Sequence, residues 1–152
     1  MHAQALRVSI VAAAALGLAV PLYAKAPLQR ITISGGGLAE PVTVADQETL
    51  ALSNPWHGRI ANWSADVAPP PDDRPVYEIT LHARLRGSEV KPIYQLRYVK
   101  GDRGAPGSVY LPGRGEAWYR QNVSIIYREG HDGHWHVATA AWEAAIRPAL
   151  GH

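Results

Sequence analysis

The chain has 152 residues, with 15 basic against 13 acidic side chains and no cysteine. That length holds one domain with a modest core. The missing thiol excludes disulfides, cysteine nucleophiles, thiolate-bound zinc or iron–sulfur clusters and a lipid-modified cysteine. The formal charge of +2 is dispersed, without a long basic run, which excludes a nucleic-acid partner bound by a concentrated positive surface.

Arg7 is followed by the apolar run VSIVAAAALGLAV, then Pro21 and an Ala-Lys-Ala. A basic start, a short apolar centre and small residues are the anatomy of a secretory signal peptide. The run covers 13 residues, short of the ~20 that a membrane-spanning helix needs. Residues 1–26 are therefore expected to be a leader and 27–152 a single α+β domain. The expected location is periplasmic or extracellular, with no membrane insertion once the leader is gone. An uncleaved leader acting as a membrane anchor is the alternative. Cleavage after Ala24 and after Ala26 both stay open. Loss of Arg7 and Lys25 takes the formal charge from +2 to 0.

In chain order, 30–34 alternates as a strand, Gly35-Gly36-Gly37 supplies a hairpin turn, and 41–44 returns as a second strand. A phosphate-cradling role for these glycines would need a helix start and a nearby lysine, and neither follows. Asp46 is placed to cap a short helix carrying Glu48, Leu50 and Leu52, which Asn54-Pro55 ends. Residues 53–75 read as a long irregular loop. Its Trp56 and Trp63 either pin it to the core or offer flat faces to a ligand.

Residues 76–99 form the longest patterned stretch. Tyr77, Ile79, Leu81, Ala83 and Leu85 alternate with polar residues. After a turn at 86–89, Tyr94, Leu96 and Tyr98 are expected inward, with Ile93, Gln95, Arg97 and Val99 opposite. The expected architecture is a single antiparallel sheet built around this long central hairpin, with two or three short helices packed on one face. Residues 108–111 read as a strand. Residues 116–128 have helical spacing, although the β-branched Val123, Ile125 and Ile126 suit a strand. Residues 134–139 alternate as a strand with Trp135 and Val137 inward, and a helix carrying Trp142, Ala145 and Ile146 closes the chain.

Candidate chemistry concentrates in HDGHWH at 131–136. On a strand, His134 and His136 project to one face, a chelating arrangement for zinc. His82, on the polar face of the hairpin, is the third possible ligand, with Asp132 and Glu78 as the acids within reach. Arg84, Arg86 and Arg97 share that face and repel a cation, so the expectation is no metal and no cofactor. Ser88-Glu89-Val90-Lys91 has the form S-x-x-K, but a turn followed by Pro92 denies it the one-turn helical spacing that acyl-enzyme chemistry uses.

The stretches ITISGGGL, LSNPW and VYLPGRGEAWYR, with the late Gly-His-Trp and Ala-Trp-Glu, resemble a family of small exported bacterial proteins of no established function. The resemblance covers about 31–146. It implies an envelope or extracellular setting and carries over no catalytic residue. The function expected is a non-catalytic domain that binds an envelope protein or a small ligand, with Trp56, Trp63, His82 and Arg84 as the candidate contacts. The alternative is a hydrolase that uses the polar sheet face around His82, Arg84, His134 and His136.

Overall fold

The computed structural model describes residues 26–87 and 89–151. Apart from Ala26, the leader expected over 1–26 lies outside the described residues. Seven strands are β1 (Leu28–Gly35), β2 (Val42–Val44), β3 (Ala61–Val67), β4 (Val76–Arg84), β5 (Val90–Val99), β6 (Ser108–Tyr110) and β7 (Trp135–Ala138). Three short helices are α1 (Gln47–Leu52), α2 (Tyr119–Ile125) and α3 (Ala140–Ile146), the last running into a 3-10 turn at Arg147–Ala149. The strands make one antiparallel sheet in the order β2-β1-β4-β5-β6-β7-β3, so the chain is broadly α+β. No helix among the described residues is long and apolar enough to cross a membrane.

The core follows from the alternation of the long strands. On β4, Tyr77, Ile79, Leu81 and Ala83 are buried, and their partners Tyr98, Leu96 and Tyr94 on β5 are buried with them. Ile31 and Ile33 of β1 pair with Leu81 and Ile79, extending the same face. At the β1–β2 turn, Gly36 has φ +60, and a Cβ there would stand 2.2 Å from the Tyr77 ring. Glycine is thus required on both counts.

Helices α1 and α3 cover this inner face. Asp46 caps α1 by accepting from Thr49 N at 2.9 Å, a bond that holds its carboxyl below the usual range. Trp142 of α3 is fully buried. It meets Tyr98 edge-on at 5.3 Å and donates its indole N–H to Ser53 Oγ at 2.9 Å.

Three local expectations are corrected. Ile93 is fully buried, because it is the extra residue of a bulge where the pairing steps from Leu81↔Tyr94 to His82↔Pro92. Val99, expected outward, is buried as well. Residues 53–75 are not a continuous loop. They contain β3, an edge strand whose burial does not alternate cleanly, and this hid it from a period-two reading.

Candidate metal centre

The site forms where β3, β7 and the turn before β7 meet. Asp66 lies directly opposite His136, whereas Ala61 lies opposite Ala138. The register therefore shifts along β3, and the irregular stretch between turns the Ala65 carbonyl and the Asp66 side chain toward β7. Within that stretch Asn62 Oδ1 accepts from Ser64 N and Oγ at 3.2 and 2.7 Å.

The preceding turn is held from both ends. Asp132 Oδ2 accepts from Arg128 N at 3.1 Å, and His131 N donates to Arg128 O at 3.0 Å. Gly133 N donates to Leu111 O, and Leu111 N to His134 O, at 2.9 and 3.3 Å. Gly133 sits at φ +85, and a Cβ on Gly113 would stand 2.9 Å from its Cα. Larger residues would push the two backbones apart.

Three imidazoles converge on one carboxylate. Nδ1 of His131 lies 3.0 Å from Asp66 Oδ1, Nδ1 of His134 lies 3.3 Å from Oδ2, and Nδ1 of His136 lies 3.7 Å from Oδ1. The donor atoms of Asp66, His131 and His136 all fall within 4.8 Å of one another. The bond from His131 holds the Asp66 carboxyl below its usual range. Burial opposes this, and the charges of His134 and His136 reinforce it.

His136 is fully buried, its ring edge-on to Trp63 at 5.3 Å. Its Nε2 lies 2.9 Å from the His131 carbonyl and its Nδ1 3.1 Å from the Ala65 carbonyl. A neutral imidazole donates from one nitrogen only. With Nε2–H given to His131 O, the Nδ1 lone pair faces the Ala65 and Asp66 oxygens. The other tautomer gives Nδ1–H to Ala65 O and turns the Nε2 lone pair on the His131 carbonyl, so either neutral form sets one lone pair against a carbonyl oxygen.

The donors suit a divalent transition metal. Two imidazole nitrogens and a carboxylate oxygen are a common zinc set, and bonds of about 2.0–2.2 Å set ligand-to-ligand distances of roughly 3.3–3.6 Å in a tetrahedron. The distances to Asp66 Oδ1 of 3.0 Å from His131 Nδ1 and 3.7 Å from His136 Nδ1 bracket that range. The bond from His136 to a backbone carbonyl is the kind of support that orients a metal-ligating imidazole. His134, on the second carboxylate oxygen, orients Asp66 from the outside.

His82 is not part of this cluster. Tyr77, Tyr98, Val109 and His136 form one row across the sheet, all buried on the inner face. His82 belongs to the opposite face, where its Nε2 lies 3.1 Å from Thr32 Oγ1. Arg84 is exposed at the end of β4. The cationic face expected to repel a metal is thus a different face from that of His136.

The inward expectation for Trp135 and Val137 is corrected: His136 and Ala138 are the buried residues of β7. A four-residue strand carries too few alternations to fix its own register. Trp56 is half-buried, with its indole N–H donated to Ile125 O at 3.1 Å. The Trp63 ring is covered by the Arg128 guanidinium at 4.1 Å.

Asp66 and His131 are the members that sequence reasoning missed. Asp66 lay in the stretch read as a loop, and His131 lay outside the i, i+2 spacing that singled out His134 and His136. No protein-family model, curated protein or solved structure matches this chain, so the resemblance to small exported proteins rests on its motifs alone.

Proposed function

We propose that this chain is an exported, non-catalytic binding domain of the periplasm or extracellular space, and that it holds a divalent transition-metal ion, zinc being the simplest. Asp66 Oδ1 and Nδ1 of His131 and His136 are the ligands, with His134 as the outer partner. The observation that carries this reading is the buried His136 ring, with Nε2 at the His131 carbonyl and Nδ1 between the Ala65 carbonyl and Asp66 Oδ1. A binding role fits better than hydrolysis, because two open clefts of about 910 and 580 Å³ are lined by other residues. Hydrolytic sites gather their catalytic groups in such clefts.

Calorimetric titration of the metal-free chain with zinc tests the reading. One equivalent is expected to bind. His134→Ala should weaken binding by about 10–100-fold, as expected for an outer partner. Asp66→Asn and His131→Ala should weaken it further, and His82→Ala should leave it unchanged. No uptake at micromolar zinc, or equal uptake by Asp66→Asn, would overturn it.

A further inference from the structure

The chain has five tryptophans, and four of them have structural partners. Trp142 is buried with its N–H on Ser53, and Trp56 donates to Ile125 O. Trp63 lies under Arg128, and Trp135 meets the Tyr110 ring at 5.1 Å. The Trp118 indole has no hydrogen-bond or ring partner among the described residues, nor does it belong to the apolar cluster of the core. Its backbone is left-handed, at φ 71 and ψ −15, a conformation that bulky residues avoid and that functional sites retain.

Neighbouring bonds hold Trp118 in place. Glu116 Oε2 accepts from Gly113 N at 2.6 Å and from Tyr110 OH at 2.5 Å, fixing the turn before it. Asn122 N donates to Trp118 O at 2.8 Å, fixing the helix start after it. The indole consequently lines a cleft of about 910 Å³ together with Pro92, Arg114, Tyr119 and Arg120.

The charge of this cleft is one-sided. Glu116 is the acid in its lining, and it is engaged by Arg97 at 3.4 Å as well as by Tyr110 and Gly113. Arg114 and Arg120 are exposed and have no ion-pair partner among the described residues. Two free guanidinium groups beside a flat indole recognise a carboxylate by paired hydrogen bonds and a ring by stacking.

We propose that this cleft binds a carboxylate carried on a ring that stacks on Trp118. An acidic sugar and an aromatic acid share that chemistry. The cleft has no residue in common with the histidine cluster, so this inference stands apart from the metal reading.

The test is calorimetric titration of the full chain with trigalacturonate and with 2-naphthoate, each beside its uncharged counterpart, maltotriose or 2-naphthalenemethanol. Saturable binding of one acid is expected, and its identity tells the sugar source from the aromatic one. The uncharged counterpart should bind about tenfold more weakly or worse, as should the acid to the Arg114→Gln/Arg120→Gln variant. Trp118→Gly should also lose binding, while melting no lower than the parent because glycine accepts the left-handed backbone. Saturation by neither acid, or undiminished binding to either variant, would overturn the proposal. So would a Trp118→Gly protein that melts well below the parent, since the indole would then be a packing residue.

Discussion

His82 and His136 sit on opposite faces of one sheet, and their surroundings ask different things of an imidazole. Burial, helped by the charge of Arg30, pulls His82 below the ordinary 6.5, and its Nδ1 is buried without a partner. The folded state therefore favours the neutral ring, and the unfolded chain takes up the proton first. Stability from this site is complete above the unfolded value and is lost as pH falls toward the folded one. Urea midpoints at about pH 7.5 and about pH 5 should fall for the parent, and fall less for His82→Gln. Equal losses would contradict this account. Leu81, one residue away on the other face, is 1% exposed. Leu81→Ala should cost about 2–5 kcal/mol in denaturant unfolding, and a change below ~0.5 kcal/mol would place it at an open surface.

At the scale of elements, α2 closes a sheet edge. Strand β6 pairs with β5 only from Arg97 to Val99. Just before this, Asn122 of α2 accepts from Gln95 N at 3.0 Å and donates to Gln95 O at 2.7 Å. A fully buried side-chain amide thereby replaces a neighbouring strand. Asn122→Ala strands both backbone groups, so a loss of about 2–4 kcal/mol in unfolding free energy is expected. A loss below about 1 kcal/mol would mean that the Gln95 backbone groups do not depend on this amide.

Local patterns made much of this architecture legible. The β4 alternation, the Asp46 cap and the glycine turn after β1 are all written in adjacent residues. Pairings between distant segments were not legible. Strand β3 owes its place to β7, some seventy residues later. Its Asp66 meets three histidines only through that pairing, so the central carboxylate of the site could not be read locally. The 134/136 spacing marked the right neighbourhood, and the bulge on β3 supplied the rest.

For the whole molecule, a domain without disulfides depends on this one core and whatever it binds. Leu28 is the first residue of β1 and is 6% exposed. A chain beginning there is expected to unfold cooperatively on heating, and aggregation of that chain while the full one folds would count against reading residues 1–26 as a leader. The central claim concerns the histidines, and nitrogen-15 NMR of histidine-labelled protein reads their ring nitrogens one by one. On adding one equivalent of zinc, the account predicts that Nδ1 of His131 and His136 shift as ligands, that His136 Nε2 keeps its proton, and that His82 and His57 stay unmoved. Spectra unchanged by zinc, or shifts confined to histidines other than 131 and 136, would contradict it.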